Sequence, residues 1–180
     1  MRIARPFAVA AVLAAGVTVA PAYTFAGQST GLQVRFIESA PKDRFEIVNY
    51  GTCDAGRFEL VLDLSDAAGG LIFDTTGSGA GVEVFQPFEI VRGAISLAPA
   101  GVTDGDRSMA ILINGLAPGE SAAFTIDVDD TKGSTLGQTR VAGSEIAGGT
   151  AVIVAGPGAG QRGEFTADSV ATIPMDACIS

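Results

Sequence analysis

Asp-Gly-Asp-Arg-Ser-Met-Ala-Ile-Leu-Ile-Asn-Gly-Leu-Ala-Pro-Gly-Glu-Ser-Ala-Ala-Phe-Thr-Ile-Asp-Val-Asp-Asp-Thr, residues 104–131, is the stretch that decides the fold. Apolar side chains recur at every second position on both sides of its Pro-Gly turn: Met109, Ile111 and Ile113, then Ala122, Phe124, Ile126 and Val128. A period of two is typical of a strand with one buried face. The stretch therefore predicts two strands joined by the Gly115–Glu120 turn as a β-hairpin.

Aspartates cluster at both outer ends of this predicted hairpin. Because a hairpin brings its outer ends together, we expect Asp104 and Asp106 to lie near Asp127, Asp129 and Asp130. The alternation also places Asp127 and Asp129 on the polar face of their strand, with the valine between them pointing inward. The converging carboxylates indicate where a cation could bind.

The same alternation continues outward along the chain. It recurs at Leu32, Val34 and Phe36, at Phe45 and Ile47, at Phe58, Leu60, Leu62 and Leu64, and in shorter runs after residue 70. After the N-terminal segment, no window of 12 or more residues keeps a helical period of 3.6. Short strands separated by Gly, Pro and Asp turns predict an all-β chain folded as a single β-sandwich, immunoglobulin-like or jelly-roll-like, with a closed barrel as the alternative.

Length and charge limit the classes of function. The chain has 180 residues, a single-domain length, and 47% of them are hydrophobic. Its 20 acidic and 11 basic residues give a formal net charge of −9. This charge repels phosphate backbones, so nucleic acid is excluded as an expected partner, whereas cations and basic surfaces are favoured. There is no histidine, which removes the commonest general base and zinc ligand.

The N-terminus reads as a secretory signal peptide over residues 1–22. Arg2 and Arg5 supply the positive segment, residues 7–19 are mostly apolar, and Ala20-Pro21-Ala22 supplies a small-x-small cleavage site. The apolar run is short for a membrane span. We therefore expect export to the periplasm, the cell surface or the medium, a β-sandwich domain over residues 23–180, and no transmembrane segment in the processed chain.

The two cysteines, Cys53 and Cys178, predict one disulfide. An even pair in an exported protein is most simply a structural bridge, and the chain lacks the Cys-x-x-Cys spacing of a redox-active pair. Such a bridge would fasten the C-terminal end to the body of the domain.

The acidic clusters predict a calcium site. Ca²⁺ takes six to eight oxygen ligands, typically carboxylates and carbonyls of an irregular loop. The candidate ligands are Asp104, Asp106, Asp127, Asp129, Asp130 and Glu145. An EF-hand is excluded, because counting from Asp127 puts Lys132 where glycine is needed and Gln138 at position 12. The alternative is that these are solvated aspartates that favour turns for backbone reasons.

Catalytic motifs are weak. Gly158-Ala159-Gly160-Gln161-Arg162-Gly163 matches the dinucleotide-binding spacing, but strand-like sequence rather than a helix follows it, so it predicts a turn. A glycosidase-like carboxylate pair needs no histidine. The absence of Trp and the presence of only two Tyr make sugar-stacking surfaces poor. We therefore expect no catalytic residues, and keep a periplasmic or secreted hydrolase using a carboxylate pair as the alternative function.

Half of the chain resembles a known group of exported proteins. The residues that carry the resemblance are Leu62-Asp63-Leu64-Ser65, Gly70-Leu71-Ile72-Phe73-Asp74, residues 79–85, Asp104-Gly105-Asp106, residues 124–131 and residues 143–149. Together they resemble the bacterial exported proteins labelled "aggregation factor core", after the sponge aggregation factors.

The resemblance implies an extracellular or cell-surface β-sandwich that serves adhesion or matrix association. Sponge aggregation factors act in calcium-dependent cell adhesion, which agrees with the aspartate clusters. The sequence therefore predicts a secreted or cell-surface binding module, calcium-dependent, that contacts a surface partner or a second copy of itself.

Overall fold

A computed structural model of the chain describes residues 31–39, 42–81, 84–132 and 141–175. It confirms the predicted all-β sandwich, with two antiparallel sheets. The predicted signal peptide, residues 1–22, lies outside the described residues. The strands are β1 (Gly31–Ile37), β2 (Asp43–Asn49), β3 (Arg57–Asp63), β4 (Ile72–Asp74), β5 (Glu89–Arg92), β6 (Ile95–Leu97), β7 (Ser108–Asn114), β8 (Ser121–Asp129), β9 (Thr150–Ala155), β10 (Arg162–Glu164) and β11 (Val170–Pro174).

The first sheet has the strand order β11-β1-β2-β8-β4, and β5 also pairs with β8. The second sheet has the order β10-β9-β3-β7-β6. One short 3₁₀ helix, Gly143–Ile146, precedes β9. Among the described residues, no helix has the length and apolar character needed to cross a membrane.

The predicted alternation sorts the side chains correctly between core and surface. In β3, Phe58, Leu60 and Leu62 are buried while the residues between them are half-buried. On the opposite sheet Phe45 stacks on Phe124 with ring centroids 5.2 Å apart. Each fully buried side chain of this size contributes roughly 1.5–3 kcal/mol to folding, so this apolar layer is what holds the sheets together.

The predicted hairpin at residues 104–131 is wrong. Both strands form, as β7 and β8, but β7 pairs with β3 and β6 whereas β8 pairs with β2, β4 and β5. The connection therefore crosses from one sheet to the other. The burial of Leu116 explains this crossing, because Leu116 is 3% exposed and belongs to the core between the sheets. The carbonyl of Leu116 accepts hydrogen bonds from the Asn49 side chain (2.7 Å) and from the Ala55 N–H (3.0 Å).

Two strands, β4 and β5, pair with the same edge of β8, and an excursion of the chain separates them. β4 lies along the C-terminal half of β8, and β5 lies along its N-terminal half. The chain leaves this edge after Asp74 and returns at Gln86, whose N–H donates to the Asp74 carbonyl (3.4 Å) and whose carbonyl accepts from the Asp127 N–H (3.1 Å). We call residues 75–81 and 84–85 the glycine-rich excursion; its two ends are anchored beside Asp127.

The Gly158–Gly163 motif forms a turn, as predicted, and its last two residues begin β10. Residues 156–161 turn between β9 and β10, and the Gly160 N–H donates to the Ile153 carbonyl at 2.7 Å. Gly158 has a φ of +78°, a conformation that favours glycine. Because a strand follows, the motif does not present a helix N-terminus to a phosphate.

Candidate functional site

Carboxylates gather at the end of β8 that carries the glycine-rich excursion. Asp127 and Asp129 lie on the face of β8 that does not contribute to the hydrophobic core, and they are only 3% and 2% exposed. Asp74 of β4 lies opposite Asp127 in the strand pairing and is fully buried. The prediction that the valine between Asp127 and Asp129 points inward is confirmed, since Val128 is in the core. The alternative of solvated turn aspartates is wrong for Asp127 and Asp129, which are buried strand residues.

Asp104 joins this group from the loop before β7. Its side chain hydrogen-bonds the Asp74 side chain, and Asp74 also hydrogen-bonds the Asp129 side chain. The Asp104 carboxylate accepts hydrogen bonds from the backbone N–H groups of Thr75 (2.9 Å), Thr76 (3.2 Å) and Ala80. The Asp104 carboxylate therefore both contacts the buried Asp74 and fastens the start of the excursion.

Gly81 lets the excursion approach the carboxylates closely. A Cβ atom at this position would lie 2.2 Å from Asp74 Oδ2 and 2.6 Å from Asp129 Oδ2. Similarly, a Cβ atom at Gly79 would lie 1.6 Å from Asp104 Oδ2. The two glycines leave the space that three carboxylates occupy.

Asp43 approaches the same group from the start of β2. It is 1% exposed, and its carboxylate accepts hydrogen bonds from the N–H groups of Ser39 (3.0 Å) and Val128 (3.2 Å). The Asp129 carboxylate is one of the charges that act on it. We refer to Asp43, Asp74, Asp104, Asp127 and Asp129 as the aspartate cluster.

Three members of the cluster hold their protons unusually tightly. Burial, followed by the charges of Asp129, Asp43 and Asp74, raises the pKa of Asp127 to about 8. Burial, followed by the hydrogen bond to Asp104 and the charge of Asp129, raises the pKa of Asp74 to about 7. Burial likewise raises the pKa of Asp43 to about 7, even though two backbone N–H groups donate to its carboxylate. At neutral pH the cluster therefore shares a small number of protons.

Asp104 behaves in the opposite way. Partial removal from water raises its pKa, but the N–H donors from Thr75, Ala80 and Thr76 and the hydrogen bond from Asp74 outweigh that effect and lower it below its ordinary value. Asp104 is thus the ionised acceptor, and Asp74 is the acid that donates to it. This division of roles follows from the different number of N–H donors around each group.

Two other predicted ligands, Asp106 and Glu145, make side-chain hydrogen bonds close to their own positions in the chain. Asp106 accepts hydrogen bonds from the N–H and the hydroxyl of Thr103, each at 2.7 Å, and so shapes its own turn. Asp130 follows β8 and is half-buried. Glu145 accepts a hydrogen bond from the Ala142 N–H at 2.6 Å and thereby caps the 3₁₀ helix.

Sequence reasoning missed two members of the cluster, Asp43 and Asp74. Asp74 directly follows the apolar run Leu71–Phe73, and Asp43 directly precedes the alternating run of β2. Aspartates are mostly exposed in proteins, so a single carboxylate at the end of an apolar strand is a weak signal for a buried acid. This signal identifies Asp43 and Asp74 as members of the cluster only when the register of β2 and β4 against β8 is known.

The donor set suits a hard cation. All the ligands on offer are carboxylate or carbonyl oxygens, which is what Ca²⁺ and Mg²⁺ prefer. Within the described ranges, however, no three acidic side chains already converge tightly enough to form a metal-binding group. A cation at this place would therefore have to replace shared protons and draw the carboxylates around itself.

The predicted disulfide stays a prediction, because Cys178 lies outside the described residues. Cys53 is half-buried in the turn after β2, and its carbonyl accepts a hydrogen bond from the Asn49 side chain at 2.7 Å. A covalent link at this place would reinforce a turn that already contacts the core-facing connection between the two sheets.

Two clefts of the described surface bear on the alternative of a hydrolase. One is lined by Arg57, Phe58, Glu59, Leu112, Ala155 and Gly156, and the other by residues 92–94, 115–116 and 119–121. Each contains a single carboxyl group, Glu59 or Glu120, whereas the predicted mechanism requires two.

The chain matches no protein-family profile, and no curated protein or solved structure shows significant similarity to it. The resemblance to the aggregation factor core proteins accordingly stays a prediction. The class defined by the fold is that of β-sandwich domains, and the inference of function rests on the aspartate cluster.

Proposed function

We propose that the protein is a secreted or cell-surface binding module in which the aspartate cluster binds Ca²⁺ and thereby orders the surface that contacts a partner. The observation that carries this proposal is the burial of Asp74 opposite Asp127, with Asp104 and Asp129 beside them, under a glycine-rich segment. Several carboxylates in one buried place cost free energy unless they hold protons or a cation.

Calcium would act on the excursion and not on the core. Asp104 accepts from three N–H groups at the start of the excursion, while the Asp127 N–H holds its end through Gln86. A cation bound by Asp74, Asp104 and Asp129 would fix both ends of the glycine-rich excursion relative to β8. An adhesion surface that forms only in calcium follows from this connection.

The exposed character of the excursion supports a role in contact with another molecule. Residues 76–80 are exposed, and Thr76, Gly79 and Ala80 lie against the Asp104 carboxylate. Ordered loops on a rigid sandwich are the usual place for binding surfaces. The partner is either a molecule of the cell surface or a second copy of the chain, as expected for an exported acidic module.

Calorimetric titration of the chain with calcium tests the metal half of this proposal. The protein should be expressed with residues 1–22 present, so that export and processing take place in the cell. We expect saturable calcium binding at pH 7, accompanied by proton release that is detected as a dependence of the heat on buffer ionisation. Asp104→Asn should weaken binding, while the exposed Asp168→Asn should not. Absence of saturable heat with the unaltered chain would contradict calcium binding.

The proposed calcium dependence of adhesion requires a separate measurement. Beads coated with the chain should clump, or bind to cells of the producing species, more strongly in calcium than in chelator. Clumping that is equal in both solutions would contradict the calcium-dependent adhesion, whatever the calorimetric result.

A further inference from the structure

The outer edge of β5 has the composition of an interface. Among the described residues, six large apolar side chains are exposed, and four of them fall within residues 84–91: Val84, Phe85, Ile90 and Val91. Ile90 and Val91 are both 52% exposed. All four residues of β5 are exposed, and its one described strand partner is β8 on the inner side. A short apolar strand at a sheet edge offers backbone groups and side chains to another strand.

The charges of β5 are arranged so that the strand complements itself. Its sequence is Glu89-Ile90-Val91-Arg92. In an antiparallel pairing with a second copy about a two-fold axis, Glu89 of one copy faces Arg92 of the other, twice. Ile90 then faces Val91, also twice. An isologous interface must be complementary to itself. Acidic–basic pairs on both sides of an apolar centre meet this condition.

We infer that β5 is the contact surface for a second copy of this chain, which joins the first sheets of two protomers into one continuous antiparallel sheet. This goes beyond the proposed calcium function, because none of its four residues belongs to the aspartate cluster. Edge-to-edge strand addition supplies main-chain hydrogen bonds, and the opposite-charge pairs fix the register.

Existing contacts within one protomer fix the face of the sheet on which the two charged side chains lie. Lys42 donates to Glu89, and Arg92 donates to Glu46, so both side chains lie on the solvent face of the first sheet beside β2. The Cα partners of Glu89 and Arg92 on β8 are Thr125 and Ala123, which carry small side chains. Glu89 and Arg92 are therefore held on one face, where cross-strand neighbours in a second copy would meet them.

The irregular pairing of β5 limits the interface to these residues. The register against β8 shifts between Ile90 and Arg92, which leaves Val91 as the extra residue. A bulge bends the strand and opposes pairing over a longer edge. The expected assembly is a closed dimer and not an open chain of strands.

Mass measurement in solution with charge-reversal variants tests this inference. The full chain, in chelator so that calcium plays no part, should have the mass of a dimer that dissociates on dilution. Glu89→Arg and Arg92→Glu should each be monomeric, because each places like charges opposite one another. Mixed in equal amounts, the two variants should form a heterodimer, since the Glu89→Arg protomer carries two arginines and the Arg92→Glu protomer carries two glutamates.

The mixing step separates loss of the interface from loss of the fold, because misfolded variants would not recombine. Arg162→Glu, a matched reversal on the exposed edge strand β10 of the other sheet, should remain dimeric. A monomer at every soluble concentration of the unaltered chain would overturn the inference. A dimer that survives both reversals, or two variants that stay monomeric when mixed, would overturn it as well.

Discussion

Asp74 lies directly opposite Asp127 in the antiparallel pairing of β4 with β8, and both side chains are buried. Opposed like charges destabilise a strand pair, and burial adds the cost of removing each carboxylate from water. The sheet tolerates the pair because protons bind there tightly at neutral pH. A site of this kind responds to pH and to cations through the same groups.

In chelator, we expect the folded protein to be less stable at pH 8 than at pH 5. Asp43, Asp74 and Asp127 have pKa values of about 7, 7 and 8 when folded, above the ordinary 3.8. The folded state therefore binds more protons than the unfolded state between about pH 4 and pH 8, and its stability falls as the pH rises through that window. The pKa of Asp104 is lowered in the folded state, so its carboxylate contributes stability above about pH 4. That contribution is lost as the pH falls below about 4.

Denaturant unfolding at a series of pH values measures this dependence. The unfolding free energy should decrease from pH 5 to pH 8 in chelator. The same series with the exposed Asp168→Asn should be parallel to that of the unaltered chain. A free energy that rises over the window would show that the buried carboxyls do not retain their protons.

Asp127→Asn should stabilise the chain at pH 8 in chelator, by about 1–2 kcal/mol, because each pKa unit is worth about 1.4 kcal/mol and part of the shift is shared with neighbours. The amide keeps the size of the side chain but removes the buried charge. At pH 5 the variant should gain much less, since the carboxyl is already protonated. Chemical denaturation at the two pH values measures the difference, and equal effects at both would contradict it.

Gly81→Ala should destabilise the fold by about 1–3 kcal/mol, the usual cost of overpacking. The added methyl group would lie 2.2 Å from Asp74 Oδ2, so either the excursion or the carboxylate must move. The variant should also weaken any calcium response. Gly119→Ala is the control, because its position has open space around it and a φ of +78°. That control should lose roughly 1 kcal/mol of stability and keep the calcium response.

Cys53 and Cys178 should be found in one cross-linked peptide by mass spectrometry of the chain purified without reductant. Reduction should lower the unfolding free energy by as much as roughly 5 kcal/mol, because the bridge closes a loop of more than a hundred residues. Cys53→Ser should lose a similar amount. Two thiols that react fully in denaturant without reductant would contradict the bridge.

The sequence predicted the strands but not how they are shared between sheets. The alternation in residues 109–128 reports which side chains are buried, and that information is local. It does not say whether the next strand pairs beside the first or crosses to the other sheet. Leu116 lies in the connection that was predicted to be a hairpin turn, and its burial draws that connection across the core.

The candidate site was predicted in part for a related reason. Asp104, Asp127 and Asp129 do meet, although by way of β4 and not through a hairpin. Asp43 and Asp74 were missed because each is a single acid whose place depends on long-range register. The burial of the cluster was also missed, since the covering excursion reaches over β8 from a different part of the chain.

The measurement that tests the calcium site most directly is thermal unfolding of the chain at pH 7 in calcium, in magnesium and in chelator. A ligand bound only by the folded state at a hundred times its dissociation constant adds about 2.7 kcal/mol of stability. We predict a rise in melting temperature in calcium that Asp127→Asn with Asp129→Asn abolishes and that Asp168→Asn leaves unchanged. The same melting temperature in calcium and in chelator would contradict the site and leave the aspartate cluster as a proton-binding element of the fold.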